Sequence, residues 1–250
     1  MGAFGLEAGR EGACCDRCGR AGIACTKVAG VFHSPGQAMS SFPKDIYTEP
    51  RDVDVDTLAN LGPLRAMAGV WQGTRGLDVK PKAEGAKKQA YVERIELQPI
   101  DPQTNGPQLL YGLRYHTHIT KPDQVKTYHD QVGYWLWEPA KGTLIHTLTI
   151  PRGQVAMAAG HAAADATSFE LVATQGLDTY GICSAPFLHH AFRTTEFRIK
   201  VTIHADGTWG YDEDTVLQIV GQDEPFHHTD RNTLTKIAEP EPNPLARRQR

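Results

Sequence analysis

Most of the chain consists of stretches in which apolar and polar side chains alternate, separated by short segments rich in Gly, Pro, Asn and Asp. Clear examples are residues 109–120, 143–150 and 193–204, and the last is followed by Asp206-Gly207, a strong hairpin signal. A succession of about ten such strands is best protected at its edges when the sheet closes on itself. The sequence therefore predicts an all-β fold: a single antiparallel, closed β-barrel of roughly ten strands, wide enough to enclose one ligand.

The alternating region is flanked by segments of different composition. Residues 1–38 contain few large aliphatic side chains and no sustained period, so we expect a disordered or non-native leader. Residues 39–60 are expected to form an N-terminal extension with a short helical cap. Apolar side chains recur at three-residue steps from this segment onward (Val55, Leu58, Leu61 and Leu64), with Gly62-Pro63 as an interruption. The barrel is expected over residues 61–238. Residues 239–250, rich in proline and charge, are expected to form a disordered tail.

Charge and hydropathy argue against several classes of protein. The formal net charge is −3, without long blocks of one sign, so no nucleic-acid partner is expected. No apolar run approaches the ~20 residues of a membrane-spanning helix, and the N-terminus lacks a signal-peptide pattern. We expect a cytoplasmic protein without a membrane partner. The sequence leaves the oligomeric state open, a homodimer included.

Cysteines are concentrated near the N-terminus. Cys15-x-x-Cys18 offers half of a structural zinc site, and His33 together with either Cys14 or Cys25 would have to complete it. Structural zinc usually takes two well-spaced ligand pairs, which this segment does not supply. A leader without metal is the favoured interpretation.

A tryptophan between two glycines, Gly69-Val-Trp71-Gln-Gly73, stands on the first expected strand. Glycine weakens a strand, so its presence indicates a bend or the close approach of another group. Trp71 is interpreted either as a plug that closes the barrel floor or as part of a pocket. His129, further along, begins an aromatic strand and shares a face with Gln131.

Two histidine pairs could bind metal. His227 and His228 are adjacent on the last expected strand, so only one of them can face inward. Spacing alone favours a pair on the surface. His116 and His118 share one face of a strand and could hold a non-haem metal, although no carboxylate follows within that strand.

Taken together, these motifs resemble those of the nitrobindin-like haem-binding β-barrels, which are distantly akin in fold to fatty-acid-binding proteins and lipocalins. The segment Gly69–Pro81 is similar to the family's Gly-x-Trp-x-Gly-x-Gly motif, with Gly76 one place late. The segment His129–Trp135 is similar to its His-x-Glu-x-Gly-aromatic-Trp motif, with glutamine in place of glutamate. His228, Leu234 and Lys236 resemble its C-terminal strand, with one extra residue in the spacing.

The resemblance implies a haem b cofactor bound as ferric iron, with His228 as the proximal ligand and His227 as the alternative. It also implies that Trp71, Gly73 and His129 lie near the cofactor. The family's chemistry would be reaction with nitric oxide and isomerisation of peroxynitrite to nitrate. Whether the chain is such an enzyme, a peroxynitrite isomerase, is left open.

An iron-free carrier of a fatty acid or another apolar small ligand is the alternative function. Such a carrier needs a basic group inside the barrel to meet a carboxylate. Arg114, Arg198 and Lys200 on long strands are the candidates.

Overall fold

The computed structural model describes residues 42–242. The leader expected over residues 1–38, with its cysteine cluster, lies outside these residues, as do residues 243–250 of the expected tail. The domain boundaries therefore stay predictions. Among the described residues, no helix is long and apolar enough to cross a membrane.

Three short helices accompany the strands of the described region. They are α1 (Thr57–Asn60), a 3₁₀ helix (Gly62–Met67) and α2 (Pro186–Ala191). Asp56 caps α1, since its carboxylate accepts a hydrogen bond from the backbone N–H of Ala59 at 3.3 Å. Gly62 has a φ of 54° and separates the first two helices. This is the interruption predicted from Gly62-Pro63.

Twelve strands make up the sheet of the described region. They are β1 (Gly69–Lys82), β2 (Gly85–Pro99), β3 (Gln103–Asn105), β4 (Gln108–Thr120), β5 (Thr127–Glu138), β6 (Thr143–Ile150), β7 (Gln154–His161), β8 (Ser168–Gln175), β9 (Gly181–Ser184), β10 (Phe192–Ile203), β11 (Trp209–Ile219) and β12 (Phe226–Ala238). Alternating burial along β4, β8 and β10 follows from the period of two, which places successive side chains on opposite faces.

The strands close into a barrel. Their order is β2-β1-β12-β11-β10-β8-β9-β7-β6-β5-β4, and pairing of β2 with β4 completes the ring. β3 is an extra strand that pairs with β4. The predicted all-β closed barrel is confirmed, with eleven strands in the ring rather than roughly ten.

The largest departure from the alternating pattern lies in residues 181–192, an interval whose sequence indicates a loop or short helix. α2 is present, but β9 precedes it and is inserted between β7 and β8. β9 pairs parallel to β8, the one parallel pairing among the described strands. This short strand pairs with β7 at three positions and with β8 at two. Its residues alternate too weakly between buried and exposed for the sequence to predict a strand.

One end of the barrel is closed by a core of large side chains. Trp71 is 1% exposed, donates from its indole nitrogen to the carbonyl of Met67 at 2.8 Å, and makes an edge contact with Trp209. Leu61 and Leu64 from the helical segment are fully buried in the same cluster. The helices at residues 57–67 thus pack against the barrel through Trp71.

Candidate functional site

A cavity of about 460 Å³ opens inside the barrel. Its volume falls within the roughly 300–1,000 Å³ of small-molecule sites. Apolar side chains such as Ile95, Trp135 and Leu217 share its wall with many polar ones. Leu188 of α2 and Phe192 of β10 also line it, so the long connection before β10 contributes to the wall.

Three carboxylates lie in a row across neighbouring strands of this wall. Asp78 of β1 is paired with Asp230 of β12, and Asp230 is paired with Glu213 of β11. All three line the cavity. Like charges directly opposite each other on adjacent strands are destabilising. Folding alone does not favour this row, which points to a role in binding.

His228 lies two residues before Asp230 and faces the same cavity. Its Nε2 lies 2.9 Å from Oδ1 of Asp78, to which it donates a hydrogen bond, and 3.4 Å from Oδ2 of Asp230. The other oxygen of Asp78 accepts a hydrogen bond from the Tyr128 hydroxyl, and Lys80 donates to that hydroxyl. Asp78 is therefore held from both sides and fixes the imidazole of His228.

Burial and charge act in opposite directions on this cluster. Burial would raise the pKa of Asp78, but the hydrogen bonds from His228 and Tyr128 outweigh it and lower that pKa. Burial would lower the pKa of His228, but the bond to Asp78 and the charge of Asp230 raise it. Burial raises the pKa of Asp230 to about 6 and that of Glu213 well above its usual range.

A second polar group of the cavity wall surrounds Glu93, whose side chain is 2% exposed. Its Oε2 accepts hydrogen bonds from Asn232 and from the hydroxyl of Tyr211, both at 2.9 Å. The hydroxyls of Tyr211 and Tyr91 are in turn 2.9 Å apart. Burial is the largest effect on Glu93 and raises its pKa to about 7.

A chain of hydrogen bonds runs along another part of the wall, from His129 to a buried imidazole. Nε2 of His129 lies 3.2 Å from Oε1 of Gln131, whose amide donates to the Tyr115 hydroxyl at 2.7 Å. That hydroxyl lies 2.9 Å from Nε2 of His146, a ring stacked on Trp135. Burial lowers the pKa of His146 to about 3, so this imidazole is neutral.

The structure places the residues singled out by sequence in different environments. His228 and His129 line the cavity. His227 points outward, 59% exposed, and pairs with Asp214 through Nδ1 at 2.7 Å. Trp71 and Gly73 do not line the cavity. Gly73 lies directly behind the cavity wall, because a Cβ at this position would collide with the Asn232 side chain that holds Glu93.

Residues named for the alternative functions lie elsewhere. His116 pairs with Asp130 at 3.0 Å on the exposed side of β4, and His118 with Thr127. None of Arg114, Arg198 and Lys200 lines the cavity. Its basic residues are instead Lys80, Lys82 and Arg152.

Sequence reasoning missed the acidic wall. Asp78, Glu93, Glu213 and Asp230 were not singled out, although Asp78 lies within the tryptophan motif. The sequence contained one indication of this wall: Asp230 follows His228 by two residues, so both side chains lie on the same face of the strand. Leu234, fully buried, continues that face and indicates that His228 points inward.

A closed β-barrel, antiparallel except for the pairing of β8 with β9, around a lined cavity defines a small-ligand-binding barrel. The sequence profile of the THAP4-like, heme-binding beta-barrel domain matches residues 60–236. The chain therefore belongs to this family of haem-binding β-barrel domains, and the resemblance inferred from its motifs is confirmed.

A solved structure, the crystal structure of Rv2717c from M. tuberculosis, has a similar fold. The TM-score is 0.52 at 23% sequence identity, over 73% of this chain and 99% of that one. At this identity the similarity concerns the fold. No curated protein matches the chain.

The donor set at His228 fits a haem ligand. A neutral imidazole that donates from Nε2 carries a lone pair on Nδ1, and Nδ1 of His228 has no hydrogen-bond partner among the described residues. Histidines that bind metal commonly donate their other N–H to a carboxylate, as His228 does to Asp78. The geometry on the protein side is that of an oriented, basic imidazole beside a cavity.

Proposed function

We propose that the chain binds haem b in this cavity, with His228 as the proximal ligand of ferric iron. The observation that carries the proposal is the contact of 2.9 Å between Nε2 of His228 and Oδ1 of Asp78. This contact orients the ring and increases its basicity. The outward pairing of His227 with Asp214 favours His228 over its neighbour.

The residues around His228 would support that ligand. Tyr128 and Lys80 hold the second oxygen of Asp78, so the carboxylate keeps its direction. Lys82 and Arg152 are exposed at the rim and could meet the propionates of the cofactor by charge. His129, also in the lining and neutral because burial lowers its pKa, would contact the cofactor as a polar, uncharged group.

Bound haem supplies iron chemistry toward small diatomic and peroxide ligands. We propose nitric oxide or peroxynitrite as the reactant, with isomerisation of peroxynitrite as the activity. We also propose that the protein is located in the cytoplasm.

The experiment is a titration of haem-free protein with hemin, followed by absorption. We expect saturation at one hemin per chain and a Soret band distinct from that of free hemin. Absence of saturable binding would contradict the proposal. Titration with a fluorescent fatty acid tests the alternative carrier, whose ligand would bring a carboxylate into a cavity that four carboxyl groups also line: Asp78, Glu93, Glu213 and Asp230.

A further inference from the structure

The acidic row on β1, β12 and β11 has fewer positive partners than carboxylates. Asp78 is compensated by His228, Tyr128 and Lys80. Among the described residues, the ion pair of Asp230 is the 3.4 Å contact with the imidazole of His228, and Lys80 acts on it by charge from further away. Glu213 lines the cavity and has neither a hydrogen bond nor an ion pair among the described residues.

The three side chains nearest this deficit are arranged like metal ligands. One donor atom each from Asp78, His228 and Asp230 lies within 4.8 Å of the others. Two donors about 2.1 Å from one ion, at angles of about 90–110°, are separated by about 3.0–3.4 Å. The separations from Nε2 of His228 are 2.9 Å to Asp78 and 3.4 Å to Asp230.

The surroundings of Asp78 are also those of a metal ligand. Tyr128 binds its Oδ2 and leaves Oδ1 directed at His228. Hydrogen bonds of this kind orient ligating carboxylates in metal sites. One imidazole with carboxylates suits divalent zinc, manganese, iron or cobalt rather than soft monovalent ions.

We propose that, when no haem occupies the cavity, Asp78, His228 and Asp230 bind a divalent transition-metal ion, with the unpartnered Glu213 as an adjacent carboxylate. The ion takes the place of the proton that Nε2 of His228 shares with Asp78. Because His228 serves both ligands, the metal ion and haem exclude each other. This site differs from the His116–His118 pair considered from sequence, which lies on the exposed face of β4.

The test is calorimetric titration of chelator-treated, haem-free protein with Zn²⁺, repeated with Co²⁺ and followed by visible absorption. We expect one ion per chain. His228→Ala and Asp230→Asn should each weaken binding by about tenfold or more. His227→Ala and His116→Ala are the matched controls, since each removes an exposed histidine paired with an aspartate and should leave the affinity unchanged.

Several results would overturn the proposal. One is the lack of stoichiometric binding by the wild type, and another is wild-type affinity in Asp230→Asn. Asp230→Asn removes a like charge, so it is expected to fold even if His228→Ala does not, and thermal denaturation checks this.

Saturating Zn²⁺ should lower the affinity for hemin, and unchanged hemin binding would place the ion elsewhere. The metal titration does not involve hemin, so its failure and that of haem binding are distinguishable.

Discussion

The imidazole of His228 and the carboxylate of Asp78 meet across β12 and β1, with Nε2 of one 2.9 Å from Oδ1 of the other. They are 150 residues apart in the chain, and closure of the barrel brings them together. Asp230, the cross-strand partner of Asp78, lies on the same face. Both proposals, His228 as the ligand of haem iron and the three side chains together as a site for a free metal ion, rest on this arrangement.

Removing the hydroxyl of Tyr128 should weaken haem binding. In Tyr128→Phe, Asp78 loses the donor to its Oδ2 and orients His228 less firmly. Loss of such an outer partner typically costs about 10- to 100-fold in metal affinity, and we expect about tenfold for hemin. Tyr134→Phe, at an exposed tyrosine on the same strand, is the control. Equal affinities in the two variants would show that Tyr128 does not support the ligand.

Glu93 should make stability depend on pH. Burial raises its pKa from 4.5 to about 7, so the folded protein holds this proton more tightly than the unfolded chain. The resulting stabilisation is fully present below pH 4.5 and is lost as pH rises through about 7. The displacement of the pKa corresponds to at most about 3 kcal/mol.

Glu93→Gln should therefore reduce the fall in unfolding free energy between pH 5 and pH 8, to which Asp230 and Glu213 also contribute, and be the more stable form at pH 8. Its oxygen can still accept from Asn232 and Tyr211. Urea denaturation at both pH values measures this, with the outward-facing Glu96→Gln as control. Parallel pH profiles for Glu93→Gln and wild type would contradict the assignment.

Gly73→Ala should destabilise the wall behind the cavity. The new Cβ would collide with the side chain of Asn232 and push it away from Glu93. Overpacking of this kind costs about 1–3 kcal/mol. Thermal denaturation beside Gln72→Ala, at the exposed neighbouring position, checks the effect. A melting temperature equal to that of Gln72→Ala would show that the contact is not tight.

Trp71→Phe separates a structural role from a role in the cavity. The substitution removes the hydrogen bond to the carbonyl of Met67 and part of the packing against Trp209. We expect a loss of about 2 kcal/mol in unfolding free energy. Hemin affinity should stay near that of wild type because Trp71 lies outside the cavity lining. A large loss of affinity in a folded variant would instead support the prediction that Trp71 lies near the cofactor.

Alternation of apolar and polar residues predicted most of the strands, because it depends only on local sequence, and the need to protect the sheet edges then predicted the closed barrel. The alternation also required that one of His227 and His228 face inward. Leu234 is buried and lies on the same face of β12 as His228, which identifies His228 as the inward-facing histidine. The family motifs lay on the correct strands: Trp71 on β1, His129 on β5 and His228 on β12.

The acidic wall could not be predicted in the same way. Its row depends on the register of β1 against β12 and of β12 against β11, which places Asp78, Asp230 and Glu213 side by side. Register between strands distant in sequence is set by closure of the whole barrel and by irregular positions such as the shift between Gln72 and Leu77. The inserted β9 was missed for a similar reason, because its pairing partners are chosen by the fold rather than by its own pattern.

The most direct test of the central claim compares His228→Ala with His227→Ala after reconstitution with hemin. Absorption of the Soret region and electron paramagnetic resonance of the ferric form report the axial ligand. We expect His227→Ala to reproduce the wild-type spectra and affinity, while His228→Ala loses the signature of imidazole ligation and binds hemin at least about tenfold more weakly. Wild-type spectra in His228→Ala would contradict the assignment of His228 as the ligand.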